Sequence, residues 1–271
     1  MESIRRLHEE ILKREYKAEK QRKEEMRYDQ MDCLLLAGEE KTERTIPVCE
    51  TVFPEKFADL NAVREVLLTP EKQVYALIAP AFMGQFGEGV SPGAIRAALK
   101  CAGFSGMVVA VFADILTLKE ALEFDRHVNR DTDFLLTSCC CPVWIAMIRN
   151  VYHELIGHVP GAVSPMIAAG RVVKALHPDA FTVFIGPCMA KKKEAKEEDI
   201  ADAIDVVLTF EEMNDIFEAL GIDPKTETED IREHSSMAGR IYAKAGGVSE
   251  AVKMTAEQLN LENTVEIKAE R

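Results

Sequence analysis

A chain of 271 residues that is 47% hydrophobic can bury a sizeable core, as one large or two modest domains. Its formal net charge of −13 argues against nucleic-acid or anionic-membrane partners, which need a basic face. Seven cysteines, odd in number and unevenly spaced, with neither a signal-peptide pattern nor a bilayer-length apolar run, read as free thiols in a reducing cytoplasm.

Residues 1–50 read as a charged N-terminal helical arm and linker. Acids and bases alternate from His8 to Glu25 among good helix formers, with many pairs at three- or four-residue spacing. Ile4, Leu7 and Ile11 begin a heptad, but Arg14, Ala18 and Gln21 occupy the continuing seam, so the pattern favours a solvated helix over a coiled coil.

Residues 51–271 carry a different texture. Short apolar runs at 73–78, 106–112, 133–137, 181–185 and 204–208 alternate with helical segments, which predicts a mainly parallel sheet flanked by helices, an α/β fold buried on both faces. Helix starts are marked by Ser91-Pro92 and Ser164-Pro165, and by capping-box patterns at Thr117/Glu120 and Thr209/Glu212. Gly221 is placed to stop the helix that Thr209 opens. The acid-rich stretches after Glu194 and around Glu227 read as solvated faces.

The chemistry concentrates where the strands end. Cys139, Cys140 and Cys141 are consecutive in Thr137-Ser-Cys-Cys-Cys-Pro-Val-Trp144. Adjacent thiols poorly satisfy disulfide geometry, so the cluster points to thiolate chemistry or metal ligation. A parallel α/β sheet gathers the loops leaving its carboxyl ends along one edge. Ala79-Pro80-Ala81, the triple cysteine and Gly186-Pro-Cys188 are all expected there, each before a helix whose positive end favours a thiolate. The plainer alternatives make Cys33, Cys49 and Cys101 small buried hydrophobes, Glu120 a capping-box partner, and Lys191-Lys-Lys193 a surface patch.

With these motifs in view, the chain resembles the catalytic domain of the iron-only hydrogenases. Thr137 to Trp144, Ser164-Pro-Met166 and Ile185-Gly-Pro-Cys-Met-Ala-Lys-Lys-Lys-Glu-Ala195 match, in order, the first two cysteine motifs and the segment between them. Ile78-Ala-Pro-Ala81, Phe112-Ala-Asp-Ile-Leu-Thr117 and Ala245-Gly-Gly-Val-Ser-Glu-Ala251 support the match. The resemblance implies that Cys141 and Cys188 ligate a 4Fe-4S cluster linked to a di-iron centre, the H-cluster. It implies that Cys140 passes protons to the distal iron, with Cys139 as the competing assignment. Glu120 and Glu123 would belong to the proton route, while Ala79, Pro80, Ser164, Pro187 and Lys191 would line the di-iron pocket. The implied reaction is reversible reduction of protons to dihydrogen, in an anaerobic setting.

Four departures qualify what the resemblance implies. A third cysteine joins the usual pair, Gly186 stands where a methionine usually precedes Pro-Cys, and Pro160 falls near a serine of the usual proton route. No cysteine follows Cys188, so a third motif with two more ligands is expected from elsewhere. The implied partners are a ferredoxin-like electron donor or iron-sulfur subunit and a chain supplying that motif, with no nucleic acid and no membrane. On this reading the isolated chain is inactive. The alternative is a non-catalytic iron-sulfur or thiol redox sensor, or a hydrogenase-related subunit.

Overall fold

The computed structural model describes residues 53–109, 113–130, 132–136, 140–227 and 241–259. The expected N-terminal arm lies outside the described residues, as do Cys33, Cys49 and Cys139.

Helix α1 (Ala58–Leu67) leads into strand β1 (Val74–Ile78), a 3-10 turn at Pro80–Phe82 and helix α2 (Pro92–Cys101). Strand β2 (Gly106–Val109), helices α3 (Ala113–His127), α4 (Pro142–Asn150) and α5 (Pro165–Leu176), and strand β3 (Phe181–Gly186) follow. Helix α6 (Ala190–Glu194), strand β4 (Val206–Thr209), helix α7 (Phe210–Ala219) and helix α8 (Gly247–Gln258) complete the described elements.

The strands pair in the order β2-β1-β3-β4, all parallel. Every residue of β1 is buried, and successive side chains of a strand point to opposite faces, so both faces of the sheet are covered. Helix α2 packs against β2, α5 against β1 and β3, and α1 and α7 against β4. The expected α/β fold is thus present.

Local signals explain several boundaries. The Ser91 hydroxyl accepts the Ala94 N–H at 3.1 Å, ahead of Pro92. Thr209 and Glu212 form a full capping box, with bonds of 3.1 and 2.8 Å. Gly221, at φ 67°, ends α7 as expected.

Two sequence expectations are corrected. Residues 133–136 form no strand: the Leu136 N–H donates to the His158 carbonyl at 2.7 Å, and the Phe134 ring stacks on His158 at 3.9 Å. The apolar run is satisfied instead by the 3-10 turn His153–His158, through the Leu136 bond and the Phe134 stacking. Thr117 and Glu120 form no capping box, because α3 begins at Ala113 and both lie inside it. Thr117 instead receives a hydrogen bond from Thr255 of α8 at 3.2 Å, where the two helices pack together.

No helix among the described residues is long and apolar enough to cross a membrane.

Gly170 sets how closely α5 approaches the chain between α6 and β4. A Cβ there would lie 2.2 Å from the Ala203 carbonyl oxygen. Alanine would gain about 1 kcal/mol of helix propensity, but a backbone atom cannot swing aside as a side-chain tip can. Gly170→Ala is therefore expected to lower stability by about 1–3 kcal/mol, measured by chemical denaturation.

Candidate functional site

In this strand order the chain moves from β1 to β2 on one side and returns to β3 on the other. The carboxyl ends of β1 and β3 therefore flank a topological switch point, where open α/β sheets bind ligands. The Ala79 N–H extends the ladder by donating to Ile185 O at 2.9 Å, which places Pro80 beside Gly186-Pro187-Cys188.

The first cysteine motif arrives here by tertiary packing. Cys141 is the N-cap of α4, and its carbonyl accepts the Ile145 N–H at 3.0 Å. Helix α4 packs on α6, and Lys191 of α6 reaches across to the segment before it. Lys191 Nζ donates to the Cys140 carbonyl at 2.8 Å and to Glu194 Oε2 at 2.7 Å. Lys191 is only 7% exposed, so it is not the surface lysine its sequence context suggested. An ammonium in that setting needs a counter-charge, and Glu194 provides it. Sequence reading missed Glu194, although its three-residue spacing from Lys191 on a helix was the available signal.

The thiols differ in environment. Cys140 is half-buried and packs against the cluster of Tyr242 and Ala251 with Ile241 and Val248. Cys141 is exposed, and Cys188 is half-buried. Cys188 lines a cleft of about 610 Å³ with Asp59, Lys192, Glu211 and Glu212, and Cys141 is not among its walls. The structure thus joins the two motifs through the bond from Lys191 to the Cys140 carbonyl. Cys101 is exposed rather than buried, and its thiol donates to Glu227 at 3.4 Å. Partial burial and the Glu227 carboxylate both push that thiol's pKa up.

The remaining expected residues fall in two groups. Ala79 is buried, Pro80 half-buried and Pro187 exposed at the sheet edge. Ser164 caps α5 by position, but its hydroxyl makes no capping bond, is buried and finds no partner among the described residues. A buried hydroxyl left without a partner costs about 1–3 kcal/mol, which makes Ser164 a natural contact for a ligand. Glu120 is fully buried in α3. Glu123 accepts the Gly161 N–H at 3.1 Å, and Lys119 pairs with Glu123 at 3.6 Å and donates to the Gly161 carbonyl. Helix α3 is thereby pinned to the loop that runs from Pro160 to Ser164.

Two glycine positions carry specific demands. Gly246 adopts φ 71° ahead of α8, and a Cβ on Gly247 would lie 1.8 Å from Ile241 O. This close turn carries the chain from Ile241 and Tyr242, beside Cys140, into the helix that packs on α3. At Gly186 a Cβ would meet the Phe184 ring at 2.4 Å, so Phe184 occupies the space that a longer side chain would need.

The fit to an H-cluster is partial. The motif thiols, the buried Ser164 hydroxyl and the buried Lys191 suit an anionic iron-sulfur group. A cubane, however, commonly takes four thiolates. Among the described residues, no group of three or more His, Cys, Asp or Glu side chains is arranged to hold a metal ion. These residues do not complete such a site.

The comparisons agree with this architecture. Residues 72–271 match the family model described as the iron only hydrogenase large subunit, C-terminal domain. Iron hydrogenase 1 of Clostridium pasteurianum is 31% identical over 223 residues, covering 73% of this chain and 39% of that protein. The cytosolic Fe-S cluster assembly factor NAR1 of Kluyveromyces lactis is 31% identical over 86 residues, 32% of this chain and 18% of that one. A solved FeFe-hydrogenase, studied for oxygen inactivation through degradation of the H cluster 2Fe subcluster, aligns with TM-score 0.59 and 26% identity over 74% of this chain and 57% of its own. The structure of HydA(deltaEFG), which concerns stepwise H-cluster assembly, aligns with the same score and identity over 76% and 58%. The chain therefore spans under two thirds of the length of each of these proteins.

Lys192, next to Lys191, donates to Asp59 at 2.6 Å and Glu212 at 2.8 Å. Burial alone would lower its pKa, but the two carboxylates outweigh that and raise it above 10.5. The stabilisation is therefore complete below pH 10.5 and lost as pH rises through the higher folded-state value. Asp59→Asn is expected to cost about 1 kcal/mol at neutral pH, discounted because Asp59 is partly exposed. Thermal melts of both proteins should converge at pH values above 10.5, where Lys192 loses its proton.

Proposed function

We propose that this chain, which belongs to the iron-only hydrogenase large-subunit family, is an iron-sulfur protein whose two cysteine motifs contribute to one cluster and serve reversible reduction of protons to dihydrogen. The observation that carries this reading is the Lys191 bridge between the Cys188 helix and the Cys140 carbonyl. It ties together two motifs 51 residues apart, close to the sheet edge where the fold binds ligands.

In this reading Cys141 and Cys188 are thiolate ligands and Cys140 is the proton-passing thiol. Lys191 presents positive charge to the anionic group. Ala79, Pro80, Ser164 and Pro187 line its surroundings, and Glu120 and Glu123 on α3 lie on the proton route. The remaining ligands come from polypeptide outside the described residues, and electrons come from a ferredoxin-like carrier or iron-sulfur subunit. A second reading, non-catalytic iron-sulfur handling, is favoured by the equal percentage identity to the assembly factor over its shorter span.

Anaerobic iron and acid-labile sulfide analysis tests the shared premise, and infrared bands of carbonyl and cyanide ligands after maturation separate hydrogenase chemistry from the second reading. Cys141→Ser is expected to weaken iron retention by about 10–100-fold or more, since even residues that only support a ligand have effects of that size. Cys140→Ser should keep iron while suppressing proton chemistry in an active assembly. Equal iron loss in both variants would sink this division of roles.

A further inference from the structure

We infer that Glu194 is a positioning residue: it holds Lys191 against the Cys140 carbonyl, and through that lysine it sets the register in which the two cysteine motifs face one another. Only the consequence for iron rests on the reading above. The positioning itself stands on the geometry.

Lysine has a long flexible stem and ordinarily carries its ammonium out to water. Lys191 is kept inside instead, with both it and Glu194 buried. The two residues are three apart on α6, so their side chains share one helix face. Glu194 takes one N–H at 2.7 Å, and a second goes to Cys140 O at 2.8 Å. One bond lies within the Cys188 helix and the other crosses to a segment 51 residues away. The carboxylate is thus the fixed end of a strut, and the Cys140 carbonyl is the point it holds. Helix α6 has only five residues, too few to be stable by itself, so its orientation depends on such anchors. A neutral side chain at position 194 would leave a buried ammonium without its counter-charge, and turning out to solvent would break the Cys140 bond as well.

The experiment is amine acetylation of the full chain with peptide mass spectrometry, using exposed Lys193 as the fast reference and Lys174, paired with Asp205, as the reporter of global unfolding. In the unaltered protein Lys191 should label at least about tenfold more slowly than Lys193, because its ammonium is buried and paired. In Glu194→Gln, Lys191 should approach the Lys193 rate while Lys174 does not change. Should that variant fail to fold, Glu194→Asp keeps the charge on a shorter stem and should give an intermediate rate. Lys191 labelling in Glu194→Asp or Glu194→Gln as slow as in the unaltered protein would overturn the inference.

Anaerobic loading with ferrous iron and sulfide supplies a second readout. The double variant Lys191→Glu with Glu194→Lys rebuilds the ion pair but moves the ammonium one turn from its place beside Cys140. It should recover the thermal midpoint and not the iron retention. Recovery of both would reduce the pair to a structural salt bridge and overturn the positioning role. If the unaltered chain takes up no iron while the labelling contrast holds, the iron-sulfur reading fails and the positioning of Lys191 stands.

Discussion

A lysine ammonium lodged between a carboxylate at 2.7 Å and a backbone carbonyl at 2.8 Å, largely out of water, connects the elements of this site. Breaking a buried ion pair by removing one partner commonly costs about 3–5 kcal/mol, because the remaining charge is stranded. That penalty sits in the short helix after Cys188, which has little stability of its own. At Cys140, just before α4, the Lys191 bond ties the first motif to the second. The site is therefore assembled by electrostatics on an edge that the sheet provides.

The run of three lysines shows how one helix divides like charges. Neighbouring positions on an α-helix are about 100° apart, so consecutive side chains cannot share a partner direction. Lys191 turns inward to Glu194 and Cys140, Lys192 turns to Asp59 and Glu212, and Lys193 remains exposed. The second of these contacts is informative because Asp59 precedes the matched family span of 72–271. Helix α1 packs on β4 and α7 and helps wall the cleft at Cys188. The residues before the matched span thus take part in the surroundings of the second motif.

The chain keeps the family's fold, and two glycine positions show how closely its backbone is packed. At Gly186 the Phe184 ring fills the volume that any side chain would enter. The Gly246-Gly247 pair meets a demand that glycine satisfies, a left-handed turn followed by close backbone approach to Ile241.

Much of the sheet was legible in the sequence, because buried parallel strands are short, apolar and β-branched irrespective of their neighbours. The caps at Ser91 and Thr209 were legible for a similar reason, since donor and acceptor lie within one turn. The cysteine motifs stood out by residue type, and the family resemblance followed from them. Residues 133–136 misled because an apolar segment satisfied by the turn at 153–158 has the same composition as one satisfied by a ladder. Thr117 and Glu120 misled because the capping spacing also occurs inside helices. Whether Lys191 was a solvated charge or a buried strut depended on a carbonyl 51 residues away. The exposure of Cys101 likewise depended on packing rather than on its neighbours in the chain. Local pattern determined the elements and the chemistry on offer, while burial and long-range hydrogen bonding, which no local pattern encodes, decided which groups meet.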